Sequence, residues 1–128
     1  MIYDVGTTIT LEAWENRFIP NQDWNHAWGT APTDLIPRCL MGITPVELGF
    51  REVRIQPRIG NLEFAKTRYP TRLGSIDLEI TRRDNNLEYK ISLPEGMSAE
   101  VWPEGDTEPR QIPAKEQRQG VVLSSMVP

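Results

Sequence analysis

From Thr44 onward the residues alternate apolar and polar at period two, and no other feature restricts the fold of this chain so tightly. Ile76, Leu78 and Ile80 are separated by Asp77 and Glu79; Leu87, Tyr89, Ile91 and Leu93 are separated by Glu88, Lys90 and Ser92. Successive side chains of an extended chain point to opposite faces, so each run offers one apolar face to a core and one polar face to solvent. Arg83-Asp84-Asn85-Asn86 supplies turn-forming residues between the two runs, and the spacing predicts a hairpin over residues 73–93.

Shorter strand candidates are residues 52–56, 62–67, 99–102, 110–112 and 120–124. Pro57, Gly60, Pro70, Pro94-Glu95-Gly96, Pro103-Glu104-Gly105 and Pro113 separate them. Eleven prolines and nine glycines in 128 residues favour frequent turns over a long helical bundle. Six or seven short antiparallel strands at this spacing predict a β-sandwich, and the length suits one core. Trp102, at the end of a predicted strand, is expected in that core.

Upstream the pattern changes. Ala27, Ala31, Leu35 and Cys39 recur every four residues and predict a helix over residues 25–41, stopped by Gly42. Pro32 fits near a helix start and Pro37 should bend the helix beyond it, since each lacks an N–H and crowds the preceding turn. The boundary between the two regimes falls near residues 42–49.

The formal charge is −4 and Lys and Arg are scattered, which argues against nucleic acid or an anionic membrane as partner. Cys39, the single cysteine, allows no intrachain disulfide and stands in an apolar run, where a small buried hydrophobe is expected. With one histidine and no cysteine cluster, no metal site is expected. Nor does any glycine-rich phosphate loop or Gly-x-Ser-x-Gly elbow point to nucleotide cofactors or acyl transfer. The chain starts without a basic segment and apolar run, and no stretch has the length to span a bilayer, so a soluble protein without cofactor is expected.

Three of the four tryptophans and the histidine gather near the start, as Trp14, Trp24, His26 and Trp28, with Glu12, Glu15 and Asp23 among them. Indole faces stack on the C–H faces of pyranose rings, and carboxylates and imidazole bond sugar hydroxyls or act on the glycosidic bond. Glu12, beside Trp14, suits a general acid or base whose pKa and orientation are set by packing. The same residues fit a plainer reading too: a surface glutamate, a structural histidine and core tryptophans.

Four segments decide between them: Gly6-Thr7-Thr8-Ile9-Thr10-Leu11-Glu12-Ala13-Trp14, then Trp24-Asn25-His26-Ala27-Trp28-Gly29-Thr30-Ala31-Pro32, then Gly42-Ile43-Thr44-Pro45, then Gly49-Phe50 with Ile55-Gln56-Pro57. In order and spacing they resemble the carboxyl-terminal end of bacterial α-L-rhamnosidases, inverting glycoside hydrolases that release terminal rhamnose. The likeness runs from about residue 5 to residue 103. It implies that residues 1–43 are the terminal segment of an (α/α)6 catalytic barrel and residues 44–128 the β-sandwich behind it. It also implies Glu12 as general base and His26 as a rhamnose contact, with Trp14, Trp24 and Trp28 shaping the pocket wall. Leu11 departs from the pattern, standing where the family commonly has tryptophan.

The expected fold is therefore mainly β, an antiparallel sandwich preceded by a short helical segment. An inverting hydrolase needs a second carboxylic acid about 6.5 to 9.5 Å away across the scissile bond. The family takes that acid from far upstream in the barrel, so this chain by itself is expected to be inactive. The alternative is a stand-alone carbohydrate-binding or structural module. A rhamnose-containing carbohydrate is the partner implied for the intact enzyme, in a bacterial cytoplasm or periplasm. Where Leu11, Trp14, Phe18, Trp24 and Trp28 lose their barrel neighbours, either a homo-oligomer through those residues or a poorly ordered segment before residue 30 is expected.

Overall fold

The structure is a computed structural model that describes residue 10 and residues 27–126. These fall into two compact units divided between Ile36 and Pro37. In the first, a 3-10 turn at Ala27–Thr30 leads into the one-turn helix α1 (Ala31–Leu35); a π-helical turn, Ile36–Leu40, begins at that unit's last residue and lies mostly in the second unit. Pro32 sits in the first turn of α1, where its missing N–H costs nothing. Pro37 falls in the wide turn that ends the regular helix.

Within the described part of the continuous helix expected over residues 25–41 there are three turns of different pitch, and the four-residue stripe does not form a buried face. Ala27, Ala31, Leu35 and Cys39 are all exposed. Cys39 is therefore not the buried hydrophobe expected. Pro37 and Met41 are buried and Leu40 packs on the core, which leaves Cys39 on the opposite side of the turn.

The second unit holds eight strands among the described residues. They are β1 (Ile43–Pro45), β2 (Glu52–Ile55), β3 (Phe64–Thr71), β4 (Gly74–Arg83), β5 (Asn86–Leu93), β6 (Ser98–Val101), β7 (Arg110–Ile112) and β8 (Gln119–Met126). They make two four-stranded sheets, β1-β2-β6-β7 and β3-β4-β5-β8. All pairings are antiparallel except β2 with β6, which run parallel with Val53 opposite Ala99. The predicted hairpin is β4 and β5, and its turn tightens to Asp84-Asn85 because Arg83 and Asn86 already pair. Asp84 adopts a left-handed φ of 54°, which aspartate tolerates better than most residues.

Burial alternates along each strand as the period-two pattern requires. Ile76, Leu78 and Ile80 of β4 and Leu87, Tyr89, Ile91 and Leu93 of β5 join Ile43, Val53, Ile55, Ala99, Val101 and Ile112 of the other sheet in one core. Both sheets thus turn their inner faces to each other, as in a sandwich. Trp102 is half-buried and stands outside that core. It shares the outward side of β6 with Glu100, two residues earlier, to which its indole N–H donates at 2.7 Å.

Gly42 fixes the entrance to the sandwich. Its φ is +68°, and a Cβ there would lie 1.9 Å from the Gln56 carbonyl oxygen. The contact is made by backbone: Gln56 N–H donates to the Gly42 carbonyl at 3.0 Å, and Arg58 N–H to that of Leu40 at 2.8 Å, extending the β1–β2 ladder. Further on, Glu47 to Phe50 close a turn in which Phe50 N–H donates to the Glu47 carbonyl and Gly49 takes φ +83°, the left-handed third position of a type II turn.

Candidate functional site

Glu12, Trp14, Trp24 and His26 lie outside the described residues, and of Trp28 the backbone alone, within the 3-10 turn, is described. The described residues do include the joint between the two motif segments that carry them. Thr10 donates to the carbonyl of Gly29 twice, from its backbone N–H at 3.1 Å and from its hydroxyl at 2.9 Å. Gly29 is buried, and two donors on one carbonyl make a rigid tie. Thr30 and Thr33 hydroxyls cap the carbonyls three residues before them, at 2.6 and 2.5 Å, and hold the turns around α1.

In the second unit, acidic and basic groups gather on the outer face of the β3-β4-β5-β8 sheet. Glu79 accepts from Lys66 at 3.2 Å and Lys90 at 3.5 Å, and Lys90 also meets Glu88 at 3.5 Å. Asp77 lies between Arg68 and Arg118. Of these groups, Lys66, Arg68, Asp77, Glu79 and Lys90 line a shallow cleft of about 290 Å³, together with the small residues Ser92 and Gly120. The hydrogen bond from Arg68 holds the Asp77 carboxyl below the usual carboxylate range, and that from Lys66 does the same for Glu79. A general acid needs a pKa raised toward neutrality, so neither carboxylate suits that task. The cleft is a surface of mutually satisfied charges.

A second cluster lies at one end of the sandwich. The Tyr89 hydroxyl, on a fully buried side chain, accepts from Glu104 N–H at 3.0 Å and lies 3.4 Å from Ser125 Oγ, which donates to the Glu104 carbonyl at 2.9 Å. Burial raises the Tyr89 pKa above the ordinary tyrosine value. The three groups lock the Pro103-Glu104-Gly105 turn to β5 and β8, a structural task. On the opposite sheet Glu100 accepts from Trp102 at 2.7 Å and from Arg54 at 3.2 Å. Among the described residues no group of three or more His, Cys, Asp or Glu is placed to hold a metal ion. Nor is any described helix long and apolar enough to cross a membrane.

Reading the residues alone does not bring these clusters together. In sequence Tyr89 is one more apolar member of an alternating strand, and its link to Glu104 and Ser125 depends on pairings across 15 and 36 positions. For the outer charges a signal exists: Lys66, Arg68, Asp77, Glu79, Glu88 and Lys90 all occupy the polar positions of the alternation.

Residues 42–118 match the family described as the bacterial alpha-L-rhamnosidase C-terminal domain. An alpha-L-rhamnosidase of Alteromonas sp. (strain LOR) is 31% identical over 107 residues, covering 77% of this chain and 12% of that protein. Among solved structures, an α-L-rhamnosidase of Streptomyces avermitilis complexed with L-rhamnose superposes with a TM-score of 0.64 at 22% identity, over 97% of this chain and 14% of that one. The enzyme of Aspergillus terreus gives 0.71 at 18%, over 95% and 15%. The chain thus spans about an eighth of the curated relative it matches. By its domain match and this identity, the chain belongs to the bacterial α-L-rhamnosidase C-terminal domain family.

Proposed function

We propose that this chain is the carboxyl-terminal end of an inverting α-L-rhamnosidase, with residues 1–43 closing a helical catalytic barrel and residues 44–128 forming the sandwich behind it. In the intact protein Glu12 removes the proton from the attacking water, and His26 holds a sugar hydroxyl. Trp14, Trp24 and Trp28 form part of the pocket wall, where indole faces meet the ring of a terminal rhamnose. The acid that protonates the leaving oxygen comes from the upstream barrel, so the 128-residue chain alone does not turn over substrate.

One observation carries the reading. The likeness to the Alteromonas enzyme covers 77% of the chain, a larger share than residues 42–128 can fill, so it extends into the segment that precedes the sandwich. The tie between Thr10 and Gly29 supports it, since it joins the segment ending in Glu12-Ala13-Trp14 to the one containing His26. L-Rhamnose in the Streptomyces complex supports the choice of sugar.

The test is hydrolysis of an aryl α-L-rhamnoside. The isolated chain should show no turnover. In the intact protein Glu12→Gln should lower kcat by about a thousandfold with little change in KM, whereas His26→Ala should chiefly raise KM. Turnover by the isolated chain, or full activity of the Glu12→Gln enzyme, overturns the proposal.

A further inference from the structure

The sandwich has four sheet edges, and three carry devices that discourage another strand from pairing there. β1 is three residues long and ends in Pro45; β7 is three residues long and begins with Arg110. β3 is eight residues long but places Lys66, Arg68 and Pro70 along its length. β8 is different. Its eight residues, Gln119-Gly120-Val121-Val122-Leu123-Ser124-Ser125-Met126, contain neither a charge nor a proline.

One side of β8 pairs with β5 over the whole strand, from Leu93 opposite Gln119 to Asn86 opposite Met126. Among the described residues no strand pairs with its other side, and no loop hydrogen bond uses its backbone groups. Val122 is 65% exposed and Met126 77%. Val121 and Leu123, on the inward side, are only partly buried against the core. A row of free N–H and C=O groups beside half-covered aliphatic side chains is a template for one more strand.

We propose that β8 pairs antiparallel with β8 of a second copy of this chain, joining two four-stranded sheets into one of eight. Self-complementarity selects this occupant. A two-fold axis through Val122 sets Val122 against itself, Val121 against Leu123, Gly120 against Ser124 and Gln119 against Ser125, so no charge meets a like charge and the inward aliphatic groups cover each other. The same operation on β3 would set Lys66 against Arg68. One shared strand edge is a small interface, so the association is weak.

Sedimentation velocity on the full chain, from micromolar to millimolar concentration, tests this. The wild type should shift from monomer to dimer, and amide exchange in residues 119–126 should slow as concentration rises. Val122→Lys places a charge on the axis and should weaken the dimer by about tenfold or more; Val122→Thr, which keeps a neutral β-branched side chain, should leave it intact. Both variants keep the core residues, and unchanged circular dichroism confirms the fold. A chain that stays monomeric throughout overturns the proposal. A dimer indifferent to Val122→Lys overturns it as well and locates association elsewhere, with the aromatic residues 11–28 the next surface to test.

Discussion

The two sheets of the sandwich are built by different means. In β3-β4-β5-β8 the strands run eight to ten residues, and the first three are sequence neighbours joined by tight turns. In β1-β2-β6-β7 they run three or four residues, and the central pair, β2 and β6, joins segments more than forty positions apart. Local hairpins close small loops before contacts form, whereas distant pairings require a large loop closure first. The long sheet therefore stands on its own ladder, and the short sheet depends on the shared core and on close backbone contacts at its ends.

The largest test of that dependence is Gly42→Ala, because the new methyl would collide with the Gln56 backbone and the positive φ would be strained. A loss of about 4 kcal/mol is expected in urea denaturation; a loss below about 1 kcal/mol would show that the short sheet tolerates a displaced entrance. Next is Leu78→Ala in the centre of the long sheet, where the side chain is wholly buried. It should cost about 3 kcal/mol, and native-state hydrogen exchange should show β4 and β5 opening only with global unfolding while β1 and β7 open earlier.

Tyr89→Phe comes third. It removes the acceptor of Glu104 N–H and the neighbour of Ser125, for a cost of about 1 to 2 kcal/mol. It should also alter stability at alkaline pH. The Tyr89 pKa is raised on folding, so its contribution is whole below the unfolded tyrosine value and is lost as pH rises through the folded one.

The smallest effect is the acid side of the profile. Asp77 and Glu79 have lowered pKa values, so their contribution is whole above the unfolded carboxylate range and drains as pH falls through the folded values. Both groups are solvent-facing, and Asp77→Asn should flatten that slope only slightly, more at low salt than at high. A steep change would mean that the outer charges brace the long sheet.

The same difference decides what can be read from the residues. β4 and β5 are legible because pattern, turn and pairing all lie within twenty residues. β1 is not: Ile43-Thr44-Pro45 is three residues ending in proline, and it becomes a strand only because Gly42 and Gln56 bring it against β2. The parallel register of β2 and β6 leaves no local mark at all. Cys39 illustrates the limit of periodicity, since four-residue spacing assigns it to a buried face and yet it is exposed, as are Ala27, Ala31 and Leu35. For the candidate site, the residue types suggest a sugar, but the role proposed for Glu12 and His26 rests on a resemblance over four segments in matching sequence order, which a tally of tryptophans cannot supply.

The parallel pairing of β2 with β6 also bears on how a ribosome delivers this domain. Synthesis runs from the amino terminus, so the β1–β2 ribbon emerges about forty residues ahead of its partner β6. At roughly 5 to 20 residues per second, it waits several seconds with one edge unmatched. During that wait the β3–β4–β5 meander can assemble and offer its inner face as a landing surface. The β3–β4–β5 meander is thus the first group of strands that can pair locally, and it shelters β1 and β2 until β6 arrives, while β8, made last, completes its own sheet only afterwards.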